Sequence, residues 1–141
     1  MKRTATVNWK GSGKDGKGTV STPSGVLHNH HYSYSTRFED EIGTNPEELV
    51  AAAHASCFTM KLSFLLSAAG FVPDNIDTQC TISFENGAIV ESHLEVKAVV
   101  PKIDETRFQE SVREAKANCP ISKLLNTKIT AQAILSQAVP A

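Results

Sequence analysis

Residues 45 to 69, NPEELVAAAHASCFTMKLSFLLSAA, constrain this chain more than any other stretch. Asn45 is placed to cap a helix, Pro46 suits the first helical position, and Glu48 stands three residues after the cap, where a capping box needs it. Apolar residues then fall on most faces, through Leu49, Val50, Phe58, Leu62, Phe64, Leu65 and Leu66, until Gly70 and Pro73 end the run. A helix that is apolar all round has to be enclosed, so the pattern predicts a long buried helix with the rest of the chain arranged around it. Cys57 lies in its middle, with His54 one turn earlier.

Around that helix the sequence reads as strands and shorter helices. Ala5, Val7 and Trp9 alternate with polar neighbours, GSGKDGKG carries turn signals, and VLHNHHYSYSTRF reads as a further polar and aromatic strand. The acidic stretch EDEIG suits a solvated connection. IDTQCTISF and SHLEVKAVV form a strand pair joined near Asn86-Gly87, a frequent hairpin dipeptide. Phe108, Val112 and Ala115 mark a helix over about 104–117, NCPISKLL begins a short helical turn, and 127–135 alternates as a last strand. The expected fold class is α+β, with antiparallel sheets packed around a long buried central helix. A single domain covers 1–141: a β part over about 1–44, the helix over about 45–70 and an α/β part over about 71–141.

A chain of 141 residues, 40% hydrophobic and 21% charged, can bury a core. Its formal net charge of −1, with both signs scattered, gives no electrostatic footprint for nucleic acid or an anionic membrane. No apolar run follows Met1, and no later stretch reads as the roughly 20 apolar residues of a membrane span. A soluble cytoplasmic protein is expected. The three cysteines are too few for a disulfide scaffold and suit a reducing compartment.

Each thiol has its own setting. Cys80 shares a strand face with Ile76, Ile82 and Phe84 and reads as packing. Cys119 precedes a proline at a helix start, where unpaired N–H groups favour an anion, and by local electrostatics it is the better thiolate. Cys57 sits mid-helix, where the dipole offers nothing, so a nucleophile there needs a cation from elsewhere in the fold. His54 and Cys57 share a helix face like half of a zinc site, and His28, His30 and His31 cluster in HNHH. There is no C-x-x-C and no H-x₃-H, so no metal site is assigned.

Four stretches, STRF, GTNPEELVAAAHASCF, IDTQCTISF and KANCPISKLL, together resemble the osmotically inducible protein C (OsmC) and organic hydroperoxide resistance family, and GSGKDGKGTVSTPSGVL inclines to the OsmC branch. The resemblance covers nearly the whole chain. It implies an intertwined homodimer with active sites between subunits, acting as a thiol-dependent peroxidase on organic hydroperoxides without metal or other cofactor. Cys57 matches the peroxidatic cysteine of such proteins and Cys119 the resolving cysteine, the two forming an intrasubunit disulfide. Arg37 matches the arginine that stabilises the thiolate, and Glu47 the carboxylate that holds it. The resemblance therefore reverses the ranking of the two thiols and supplies the cation that Cys57 lacks.

In the implied cycle the Cys57 thiolate attacks the O–O bond, and the resulting sulfenic acid condenses with Cys119 to a disulfide. A dithiol of lipoyl type is the implied reductant. Phe58 and Leu62 are expected to line the apolar pocket for the substrate's alkyl group. Glu47 and Cys57 stand ten positions apart, about 15 Å along one helix, so an Arg37–Glu47 pair is expected to serve Cys57 of the other subunit. A contrasting reading is a non-catalytic dimer that binds an apolar small molecule or a metal ion. Lys14 is either a second cation near the site or a turn lysine in water. Cys80 and the histidines at 28, 30 and 31 have no role in this scheme.

Overall fold

The computed structural model describes residues 1–136, so residues 137–141 of the expected C-terminal part lie outside the described residues. The chain forms two compact units, Met1–Leu49 and the part from Val50 onward.

In the first unit, β1 (Thr6–Lys10), β2 (Lys17–Ser21) and β3 (His30–Tyr32) make an antiparallel sheet in the order β1-β2-β3. The expected polar strand through STRF stops short, because Ser33 caps a helix instead. Its side chain accepts from the Thr36 N–H while the Thr36 hydroxyl accepts from the Ser33 N–H, and this capping box starts α1 (Tyr34–Phe38). Residues 39–43 are exposed, as the acidic run required. Helix α2 (Pro46–Ala68) begins with Asn45 Oδ1 accepting from the Glu48 N–H at 2.8 Å. The Glu48 carboxylate accepts from the Thr44 hydroxyl at 2.9 Å, so it reaches one residue further back than a simple capping box.

The second unit contains most of α2, which ends in a Schellman arrangement: Phe71 N–H donates to Leu66 O, Gly70 N–H to Ser67 O, and Gly70 takes φ 93°. β4 (Asn75–Glu85) and β5 (Ala88–Val99) pair antiparallel through Asn86 and Gly87, both at positive φ as a tight hairpin turn needs. α3 (Glu105–Asn118) starts at the Asp104 cap, α4 (Pro120–Leu124) follows at once, and β6 (Lys128–Ser136) closes the sheet in the order β4-β5-β6.

Three expectations are corrected here. β6 runs parallel to β5, not antiparallel. The α3–α4 connection carries the chain back to the end of the sheet where β5 began, which is how a helical crossover makes a parallel pair. Nor is α2 enclosed within its own chain: only His54, Phe58, Leu62 and Leu66 are buried, while Met60 and Phe64 are 64% and 67% exposed. Among the described residues α2 is also long and apolar enough to cross a membrane, contrary to the reading that no stretch reaches that length. Its small alanines and serines disguise the run, and its buried stripe makes it a core helix of this fold.

That stripe meets Leu94, Val96 and Ala98 of β5 and Phe108, Val112 and Ala115 of α3 in one apolar cluster. Leu94 has no exposed surface. Leu94→Ala should therefore cost about 2–5 kcal/mol of unfolding free energy, measured by urea titration at fixed protein concentration.

Candidate active site

Helical spacing places His54, Phe58, Leu62 and Leu66 on one stripe, all without exposed surface. Cys57, one position before Phe58, is turned about 100° from it and lies half-buried at the border of that stripe. Met60 and Phe64, three and seven positions further on, continue its side of the helix as exposed apolar surface.

What meets Cys57 is the first turn of α4. Cys119 is both the last cap of α3, its N–H donating to Ala115 O at 3.0 Å, and the N-cap of α4, its Sγ accepting from the Ser122 N–H at 3.3 Å. Pro120 takes the first helical position, where its missing N–H costs no hydrogen bond. Cys119 is fully buried, and its thiol is within hydrogen-bonding reach of Cys57. The Ile121 N–H donates to the Cys57 sulfur. All three cysteines are free thiols.

Cys57 receives no backbone donor from its own helix, but the start of another helix offers it one. The donor is insufficient alone: burial pushes the Cys57 thiol up, the Ile121 N–H pulls it down, Cys119 adds to the rise, and the charge of Lys61 opposes it. The balance lies above the ordinary cysteine range, so the isolated chain holds Cys57 as a thiol at neutral pH.

Arg37 and Glu47 come together in the first unit. Arg37 Nε donates to Glu47 Oε1 at 2.8 Å and to Oε2 at 3.1 Å, and Nη2 lies 2.6 Å from Oε1. The guanidinium also stands 4.9 Å from the centre of the Phe38 ring. Such a planar, two-point grip fixes where the positive charge points.

Phe58 and Leu62 stand elsewhere than expected. Both are 0% exposed inside the apolar cluster, so in this chain they have no surface to offer a substrate. The spacing could not separate the core side of an all-apolar helix from its open side. Lys14 is an exposed turn residue. His31 lies 2.7 Å from Glu41, and His30 accepts from the His28 N–H, so both serve the loop around β3. Among the described residues no group of three His, Cys, Asp or Glu side chains is placed to hold a metal ion.

The sequence reading passed over two serines. His54, weighed as half of a zinc site, has Nδ1 at 2.6 Å from Ser92 Oγ and Nε2 at 2.8 Å from Ser122 Oγ. Ser122 Oγ lies 3.1 Å from Cys119 Sγ, and Ser92 Oγ lies 3.2 Å from Cys80 Sγ. Ser92 occupies the same inward register as Leu94, Val96 and Ala98, and a lone hydroxyl among them was the available signal.

Residues 38–133 match the family model described as OsmC-like protein. The chain is 49% identical over 128 residues to a protein of Escherichia coli named peroxiredoxin OsmC, covering 88% of this chain and 90% of that one. It is 29% identical over 94 residues to organic hydroperoxide resistance protein-like 2 of Staphylococcus epidermidis, covering 63% and 65%. Among solved structures, an OsmC-like protein from Mycoplasma pneumoniae superimposes with a TM-score of 0.75 at 16% identity, over 96% of this chain and 97% of that one. The organic hydroperoxide resistance protein OhrB of Bacillus subtilis gives 0.64 at 24% identity, over 93% and 98%. The sulfur pair where α2 meets the start of α4, the mixed fold and these matches lead to one assignment: the chain belongs to the OsmC-like family.

Proposed function

We propose that this chain is a cysteine-based peroxidase that reduces organic hydroperoxides to alcohols, with Cys57 as the attacking thiol and Cys119 as the resolving one. The single observation that carries this reading is the placement of the Cys119 thiol beside Cys57, within one chain and without a bond between them. The names of the E. coli and S. epidermidis relatives, a peroxiredoxin and an organic hydroperoxide resistance protein, support the same chemistry.

In the proposed cycle the Cys57 thiolate attacks the terminal oxygen of R–O–O–H. The O–O bond breaks, the sulfur is oxidised to S–OH, and the leaving alkoxide takes a proton and departs as the alcohol. Cys119 then displaces the hydroxyl to form a Cys57–Cys119 disulfide, which shields Cys57 from irreversible oxidation. A dithiol of lipoyl type restores both thiols by exchange. Up to that exchange the proposed steps use residues of this chain and of a second copy of it, and the cytoplasm suits its three free thiols.

The cation is assigned to Arg37 of a second copy, held by its Glu47. Cys57 needs a positive charge because burial outweighs its local donors, and a guanidinium remains charged when water is removed. The ten-residue spacing of Glu47 and Cys57 favours supply from the other subunit of a homodimer. Exposed Met60 and Phe64, beside Cys57 on α2, support that assembly, since apolar side chains that open need a cover. The substrate's alkyl group is assigned to that same strip, in place of the buried Phe58 and Leu62.

Cys57→Ser should abolish peroxide turnover, while Cys119→Ser should permit one oxidation and leave Cys57 open to sulfinic acid formation, read by mass spectrometry. Arg37→Ala should shift the pH profile of Cys57 alkylation by iodoacetamide upward and slow peroxide attack. An unchanged profile would remove Arg37 from the site. Sedimentation alongside activity tests the assembly, and a fully active monomer would refute the two-subunit site.

A further inference from the structure

Cys119 has no exposed surface, yet in the peroxidase cycle its thiol has to give up a proton as it attacks Cys57. Solvent does not reach it, so the proton needs an acceptor inside the fold. Hydrogen bonds lead to one. From Cys119 Sγ it is 3.1 Å to Ser122 Oγ, and from there 2.8 Å to His54 Nε2. From His54 Nδ1 it is 2.6 Å to Ser92 Oγ, and from there 3.2 Å to Cys80 Sγ. His54, Ser92 and Cys119 are 0% exposed and Ser122 is 7% exposed, so this row of polar groups runs through the core.

A neutral imidazole has one donor and one acceptor nitrogen, and the row has a matching polarity. With the proton on Nδ1, the Cys119 S–H points to Ser122, the Ser122 O–H to Nε2, Nδ1–H to Ser92, and the Ser92 O–H to Cys80. In this arrangement every donor except the Cys80 S–H finds an acceptor within the row, and the lone pair of Nε2 faces the resolving thiol through one hydroxyl. Burial pushes His54 below the ordinary histidine range, so it is uncharged at neutral pH and able to accept. Burial also pushes the Cys80 thiol up, so the far end of the row stays protonated and adds no charge.

Resting on the peroxidase reading above, we propose that His54 is a positioning residue for the resolving step, taking the Cys119 proton through the Ser122 hydroxyl while Ser92 and Cys80 fix its tautomer. In that step the Cys119 S–H bond breaks, its proton moves to Ser122 Oγ and the Ser122 proton to His54 Nε2. The Cys119 sulfur then bonds to the Cys57 sulfur as the S–OH bond of the sulfenic acid breaks. Cys119 is oxidised, Cys57 is reduced, and the departing hydroxide leaves as water by taking up one proton, which balances the proton lent to His54. The Ser122 N–H, donating to Cys119 Sγ at 3.3 Å, steadies the negative sulfur during the transfer.

The test separates the two halves of the cycle. Reduced full-length protein is mixed rapidly with one equivalent of cumene hydroperoxide. Quenched samples are assayed for Cys57 sulfenic acid by dimedone trapping and for the Cys57–Cys119 disulfide by non-reducing peptide mapping. Ser122→Ala and His54→Gln should form the sulfenic acid at the native rate and the disulfide at least about tenfold more slowly, toward the low end of general-base effects. Ser122→Thr, which keeps the hydroxyl, should restore the native disulfide rate, a rescue that loss of packing alone would not produce. Native disulfide rates in Ser122→Ala would overturn the relay, as would a Ser122→Thr rate as slow as that of Ser122→Ala. The Ser122 pair decides the matter even if His54→Gln does not fold. Native protein that forms the sulfenic acid but never this disulfide would sink the peroxidase reading itself, a different outcome from a relay that fails.

Discussion

The first turn of α4 is the contact on which the chemistry proposed for this chain depends. It begins at a cysteine whose sulfur caps the helix, continues through a proline that needs no N–H partner, and then directs the Ile121 N–H toward a second sulfur. Backbone donors are the cheapest way to favour a negative sulfur in an apolar place, since they come with the helix and need no buried ion. The rest of the second unit holds this turn still. The α3–α4 crossover is tied at one end to β5 and at the other to β6, which pair in parallel over nine register positions from Glu91–Lys128 to Val99–Ser136. A connection pinned at both ends by strand pairing has little freedom to swing the Cys119 sulfur away from Cys57.

Local signals in the sequence were readable because their causes are local. Asn45 and Pro46 started α2, Gly70 ended it, Asn86-Gly87 turned the hairpin, and Asp104 began α3, each through a backbone preference confined to a few residues. The Ser33–Thr36 box was equally local but was masked by the β-like run of histidines and Tyr32 before it. The direction of β6 was not readable, because it depends on where a crossover deposits the chain. Nor was the open side of α2: an all-apolar helix has no amphipathic pattern to say which side meets its own sheet. Arg37 and Glu47 could be named only from the resemblance, since nothing in the spacing of an arginine and a glutamate ten residues apart announces an ion pair.

The same limit hid the polar row through the core. Its members come from α2, β4, β5 and the α3–α4 junction, so no window of sequence contains them together. Physically the row is an all-or-nothing feature. A buried hydroxyl or imidazole that loses its partner costs about 1–3 kcal/mol, so an apolar core admits such groups only when every one is satisfied. Here each has a partner, and no buried side-chain nitrogen or oxygen among the described residues lacks one. Leucine or valine would pack the same volume without that requirement. A core that keeps five polar side chains in register, ending on the sulfur next to Cys57, carries a constraint that packing alone does not ask for.

Cys57 stands on the other side of that sulfur under the opposite pressure. Burial raises its thiol, one backbone N–H and a lysine on the same helix lower it, and burial prevails. The lysine charge is the smallest of these influences and does not offset burial. A guanidinium brought in with a covering apolar surface would act differently: excluding water strengthens its attraction for the thiolate as the screening falls. In the proposed assembly one event does both, covering Met60 and Phe64 and delivering Arg37. Reactivity of Cys57 would then be tied to the quaternary structure, and a single chain, with Cys57 protonated, would react slowly with peroxide until a second copy covers it.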